Sequence, residues 1–470
     1  MQSKTKQADA AALPLISTPP GRDPMASAAG VFVGIAALVF AGFLAGRFFE
    51  RTRFPDIPIL LGLGLAIGPV NRWLVERGSG SDALAEALDL QGLQAAAPFI
   101  VGLALVVLLF DSGMELDFKS VKRSIGPTAV HTLPIFLFTV LGTMVVAHLV
   151  FGMPLLLAGM LGVALSNVDQ TVSAGILPHL RISIDLRTTY TVEMALYDLA
   201  SIPLIVALIE MAGGGSGIGG GATGFVALVS VSLAIGFLGG LAWIYALRSL
   251  AGHPHSYMLT FATTLVVYGA SEVLGGSGAL SILLFGLIVG NRAWILRRFG
   301  HIRTIDQEHE KVQAFHDEIA FFVRTLYFLF LGAGVTAGAA AWPGEPMVGL
   351  RSLSGAALFL IASLGIVGTI ILARWVPVRL ASMGRPERRA LFPVFGRGLD
   401  TAVLVTLPFV AAAYVPGTPY YEELSPWQPV FVNLAFLAIL LTVFASSVLV
   451  FFQERKTDQN ASRRTTAKRA

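Results

Sequence analysis

Seven ionisable side chains stand inside stretches of sequence that are otherwise apolar: Asp111, Asp169, Glu193, Asp198, Arg324, Arg397 and Asp400. A carboxylate or guanidinium at the centre of a bilayer costs at least ~2.5 kcal/mol on insertion scales, so such residues persist where they bind, relay or pair charge. Glu193 and Asp198 lie five residues apart in one apolar stretch. At about 100° per residue they point roughly 140° away from each other on a helix, so they cannot serve one small site together. One is expected to face an ion path and the other to pair with a cation. Arg324 is the unmatched cation at that depth, which makes Glu193 and Arg324 the expected buried ion pair. Apart from Arg397 no basic residue then remains for Asp198, and a carboxylate in that position can bind a proton and a cation by turns.

The elements that hold these residues are set by composition. Of 470 residues 55% are hydrophobic and 13% charged, with a mean hydropathy of +0.73, whereas soluble domains carry roughly a quarter charged residues. Thirteen apolar spans recur, near 28–46, 54–70, 96–114, 127–151, 154–178, 189–211, 223–247, 256–273, 277–291, 318–340, 352–373, 391–414 and 429–453, most of them long enough to cross a hydrocarbon layer of ~30 Å as a helix. The chain has no cysteine, which excludes disulfides, thiolate metal sites and a cysteine nucleophile. Its basic residues sit between apolar spans and at the C-terminus, as topology signals and not as a nucleic-acid face. Residues 1–27 lack the order of regions of a cleaved signal and read as a disordered tail.

Lys and Arg alternate between successive loops as the thirteen-span count requires. One side collects 25 of the 33, among them Arg47, Lys119, Arg181, Arg248, Arg292, Arg374, Arg388 and the tail of 454–470, and the other side six. This predicts an external N-terminus and a cytoplasmic C-terminus in a cell (inner) membrane. An odd count lets spans 1–6 and 8–13 form two inverted six-helix repeats with span 7 as linker, a common build of secondary transporters, in which discontinuous helices cross at the midplane. Spans five and twelve supply the interruptions. Leu165-Ser-Asn-Val-Asp169-Gln170-Thr-Val and Phe395-Gly-Arg-Gly-Leu-Asp400-Thr-Ala each carry a central Asp among small or polar residues, with a Leu-Pro eight or nine residues on. The fold class is therefore all-α and polytopic.

Asp169-Gln170-Thr-Val, Ile176-Leu-Pro-His-Leu, Leu186-Arg187 and Val192-Glu-Met-Ala-Leu-Tyr-Asp198 resemble the monovalent cation:proton antiporter superfamily, sodium/proton exchanger type. Leu109-Phe-Asp-Ser-Gly-Met-Glu-Leu-Asp117, Phe321-Phe-Val-Arg324 through Gly332, and Gly396-Arg-Gly-Leu are similar to further signatures of that family. The resemblance covers about residues 30–453. It implies a six-helix core bundle beside a dimerisation domain, hence a homodimer, with Asp198 as the exchange site for monovalent cations (Na+ or K+) against protons. Asp198 and Asp169 are the implied metal-binding carboxylates, with no cofactor and no catalytic residue expected, since the protein would be a transporter and not an enzyme.

Departures from the family pattern shape the rest. Its Thr-Asp-Pro becomes Val168-Asp169-Gln170, where the Val168 carbonyl remains able to bind a cation at a helix break. Its Ser after the Glu becomes Met194, and Ser201, one turn beyond Asp198, is the candidate replacement. A neutral Tyr197 before Asp198 leaves one titrating carboxylate, as in the electroneutral branch. Asp169 either holds the helix crossing or completes the cation's shell; Arg397, alone or with Asp400, compensates charge at the break; Asp111 and Gln170 are accessory. The expected mechanism is competition of proton and cation at Asp198 with alternating access. The alternative is a channel-like potassium efflux protein on the same scaffold, and third a receptor using the fold for sensing. The glycine-rich stretch at 213–224 reads as a linker, and His131 as a helix-to-helix hydrogen bond.

Overall fold

In hydrocarbon an unpartnered backbone N–H or C=O costs several kcal/mol, so an apolar stretch crosses as a helix that satisfies its own backbone. The computed structural model follows this rule. It describes residues 24–52, 56–77, 97–115, 118–169, 172–173, 184–212, 222–250, 256–298, 306–335, 344, 350–351, 353–380, 384, 388, 391–410 and 419–467. Each of the thirteen predicted spans falls on a helix, and the described residues include no strand.

The spanning helices are α1 (Pro24–Thr52), α2 (Asp56–Arg77), α3 (Ala97–Glu115), α4 (Phe118–Phe151), α5 (Leu155–Ser166), α6 (Ile184–Ala212) and α7 (Ala222–Leu250). They continue as α8 (Ser256–Val273), α9 (Gly278–Gly290), α10 (Asp306–Gly334), α11 (Gly355–Leu380), α12 (Leu399–Val410) and α13 (Gln428–Ala467). The last runs on through most of the basic tail. Residues 1–23, most of the tail predicted to be disordered, residues 213–221 of the glycine-rich stretch at 213–224 and Gln170 lie outside the described residues.

Packing sorts these helices into two bundles. In the first, α4 packs on α5, α6 and α11, α5 on α6 and α12, and α13 on α11 and α12. In the second, α3 packs on α9 and α10, α2 on α1 and α10, and α7 and α8 on α9. Contacts between the bundles run chiefly from α3 to α12 and from α13 to α2. The second bundle is drawn tight by small residues. A Cβ on Gly113 of α3 would meet the α9 backbone at Leu283 and Gly286, and one on Gly290 would meet Met114, so glycine lets these two helices touch along their backbones.

The first bundle holds the interruptions. α5 and α12 are 12 residues each, about 18 Å at 1.5 Å per residue, well short of the ~30 Å needed. Every residue from Leu157 to Ser166 is buried, as expected of a helix apolar on all sides running through the middle of the protein. α5 gives way at Asn167, whose backbone is extended, to residues without regular structure through 169, and α12 is likewise preceded by five such residues, 394–398.

Candidate ion site

Each half-helix ends inside the protein with backbone groups that have lost their helical partners, and the two breaks satisfy one another. Asp169 Oδ2 accepts from the Leu399 N–H at 2.6 Å, at the start of α12, and Oδ1 accepts from the Val172 N–H at 2.8 Å. The Asp169 N–H in turn donates to Gly396 O at 3.1 Å. On the other half, Arg397 Nε donates to Leu165 O at 2.8 Å, in the last turn of α5, and Thr401 Oγ1 donates to Asn167 O at 3.2 Å. The Asp169 carboxyl group therefore sits at the positive end of α12 and the Arg397 guanidinium at the negative end of α5, each where the helix dipole favours it. The crossing is close. A Cβ on Gly398 would run into the Asp169 carboxyl group.

Of the two roles open to Asp169 from sequence, the geometry occupies the first, since both carboxylate oxygens accept backbone N–H groups. Arg397 is bonded to the backbone carbonyls of Leu165 and Phe395. Val168 is buried in the break between Asn167 and Asp169.

α6 passes beside this crossing and presents its two carboxylates in different directions, as their spacing requires. Glu193 faces α11. Arg374 Nη1 donates to Glu193 Oε1 at 2.5 Å and Nη2 to Oε2 at 3.2 Å, and the guanidinium also donates to Leu391 O. The side chains are 1% and 2% exposed. This corrects the expected pairing of Glu193 with Arg324. Arg324 instead lies 3.4 Å from Asp56, joining α10 to α2 within the second bundle, away from the helices that surround Glu193. Arg374 was hidden by the apparent end of the eleventh span at 373: the helix continues to Leu380, which carries the guanidinium into the protein. Tyr197 belongs to the same cluster, its hydroxyl donating to Glu193 Oε1 at 3.0 Å. His131 is buried nearby, close to Glu193, Arg374 and the Pro127 carbonyl of its own helix, and among the described residues its ring makes no hydrogen bond to another helix.

Asp198, 3% exposed, faces the seam between the bundles. Asn167 Nδ2 donates to its Oδ1 at 2.7 Å. Both residues line a narrow cavity with Asp400, walled by Leu105 and Leu109 of α3, Ala279 of α9 and Val403 and Leu407 of α12. Its free space is about 10 Å³, on the scale of one water or one bare ion. Asp169 is not among its walls. Beside it a larger cavity of about 260 Å³ is lined by Asp111, Ser112, Asp317 and Arg324. Asp400 and Leu108 line both, and Asp111 lines the larger one. Ser201 is fully buried with no partner for its hydroxyl among the described residues, and it is not among the cavity's walls. Among the described residues no three His, Asp or Glu side chains gather as a metal cage.

Two residues of this arrangement escaped the sequence reading: Arg374, counted among loop cations, and Asn167, whose only signal was a polar side chain two residues before Asp169.

Comparison with known proteins places the chain. A family model described as "Sodium/hydrogen exchanger, transmembrane" matches residues 35–453. A probable Na(+)/H(+) antiporter 2 of Methanocaldococcus jannaschii is 24% identical over 440 residues, covering 89% of this chain and 94% of that one. The K(+)/H(+) antiporter NhaP2 of Shewanella sp. (strain MR-4) is 26% identical over 263 residues, 55% of this chain and 43% of that one. Among solved structures, the sodium proton antiporter MjNhaP1 from Methanocaldococcus jannaschii at pH 8 superposes with a TM-score of 0.67 at 20% identity, covering 91% of this chain and 99% of that one.

Proposed function

The chain belongs to the sodium/hydrogen exchanger family, and from that membership and the site at Asp198 we propose that it exchanges a monovalent cation, Na+ or K+, for protons across the membrane. The observation that carries the reading is the placement of Asp198: a buried carboxylate at the seam between two bundles, on the wall of a cavity sized for one small body. A carboxylate there holds either a proton or a cation. Relatives named as Na(+)/H(+) and K(+)/H(+) antiporters support the same reading.

The cycle follows from competition. With a proton on Asp198 the site is neutral; when the proton leaves, the carboxylate draws in a cation, and the first bundle, which carries Asp198 and both half-helices, moves against the second to open the site to either face. Of the further oxygen donors expected from sequence, neither Ser201 nor Val168 lines the narrow cavity, so neither is assigned to the cation's shell. One titrating carboxylate makes the exchange one-for-one and electroneutral. The second bundle, built on α1 to α3 and α7 to α10, is the part through which two copies pair as a homodimer. The loop charges orient the chain in the cell (inner) membrane with the N-terminus outside and the C-terminus in the cytoplasm.

Flux in proteoliposomes tests this. Obligatory counterflow of cation and proton is expected; cation current without a proton gradient would establish a channel instead.

A further inference from the structure

The amide that touches Asp198 has half of its hydrogen-bonding capacity unused. Asn167 is 1% exposed; its Nδ2 is committed to Asp198, but its Oδ1 is buried with no hydrogen-bond partner among the described residues. An amide oxygen taken out of water without a partner is unfavourable, and it is retained here on the wall of the cavity that also holds Asp198 and Asp400. Amide and carbonyl oxygens are the ligands that hard cations accept when they shed water.

Its mounting matters as well. Asn167 is the C-cap of α5, with φ −70° and ψ 138°, so its side chain leaves the helix at the break, next to the α5 end that Arg397 caps. Its backbone carbonyl is held by Thr401 of the opposite half-helix, so both interrupted helices fix its position.

Resting on the reading of Asp198 as the exchange site, we propose that Asn167 is a direct ligand of the transported cation, supplying Oδ1 to its shell while Nδ2 steadies the Asp198 carboxylate. When the cation leaves and Asp198 takes up a proton, the amide oxygen gives up its partner. The pair Asn167 and Asp198 thus acts as one site, assembled from two helices whose key residues are 31 positions apart. The polar residue beside the essential carboxylate therefore comes from the break after α5, while the neighbouring position in α6, Tyr197, is spent on Glu193.

The test compares wild type, N167A, N167D and D198N in proteoliposomes, with Na+ and K+ assayed separately. Loss of one ligand to a charge is expected to raise the cation KM of N167A about tenfold, with kcat falling by less than KM rises, and to remove cation-induced thermal stabilisation of the purified protein. N167D restores an oxygen and adds a carboxylate in the same shell, so its KM should return toward that of wild type while exchange becomes sensitive to an imposed membrane potential. An N167A protein with KM within twofold of wild type overturns the assignment. If N167A does not purify as a folded protein, N167D decides: a voltage response supports the ligand role, and its absence overturns it. D198N separates the two readings, because exchange surviving in D198N sinks the Asp198 site itself, whereas a dead D198N beside an unaffected N167A sinks Asn167 alone.

Discussion

Arg374 Nη1 lies 2.5 Å from Glu193 Oε1, with the two residues 181 positions apart and both sealed from solvent. The guanidinium spans both carboxylate oxygens and then the Leu391 carbonyl, tying α6 to α11 and to the segment that leads into α12. Desolvation makes such a pair a poor source of net stability, but removing one partner strands a buried charge.

E193A and R374A are each expected to lower stability by roughly 3–5 kcal/mol, read as reduced yield and a lower melting temperature of the purified protein. R324A should lose far less, because its partner is Asp56 and both side chains keep some solvent contact, at 20% and 17% exposure. A stable, transport-dead E193A protein would move Glu193 into the ion site.

D198N should abolish exchange and leave the protein folded. The carboxamide keeps the volume of the side chain but cannot trade a proton for a cation. Residual exchange above a few per cent of wild type in a proton-flux assay would sink the assignment.

Asp169 accepts two backbone N–H groups, so D169N exchanges one accepting oxygen for an NH2 group that faces another donor. We expect D169N and G398A both to weaken the crossing and lower thermal stability, the second because its new Cβ meets the Asp169 carboxyl group. If D169N is as stable as wild type and shows only a raised cation KM, Asp169 is a ligand of the cation after all.

Wild-type exchange should be electroneutral. A membrane potential shifts the energy of one moved charge by about 2.3 kcal/mol per 100 mV, so an electrogenic cycle would follow an imposed potential and a one-for-one cycle would not. Proteoliposomes should reach the same Na+ distribution with or without a valinomycin potential. Y197F should remain electroneutral and lose about 1 kcal/mol of stability, since the Tyr197 hydroxyl serves Glu193 and not the cavity. A voltage response in wild type would point to a second titrating carboxylate, with Asp400 on the cavity wall the first to examine.

The helix count, the two interruptions and the divergence of Glu193 from Asp198 could all be read from sequence, because each follows from a local rule. An apolar run of sufficient length must be a helix in hydrocarbon, and five residues of helix rotate a side chain by a known angle. Partner choice obeys no local rule. Arg374 stands one residue past the apparent end of an apolar span, where hydropathy cannot tell a loop cation from one that a longer helix carries inward. Asn167 reads as one more polar residue at a helix break until the crossing of α5 and α12 brings it to Asp198 on α6. Composition and periodicity thus marked most of the residues that carry charge at membrane depth, Arg374 excepted. Which of them form a fixed ion pair, which cap a half-helix and which line the ion path was decided by the tertiary structure, because a hydrogen bond spans about 3 Å and only the packed helices determine which distant groups come that close.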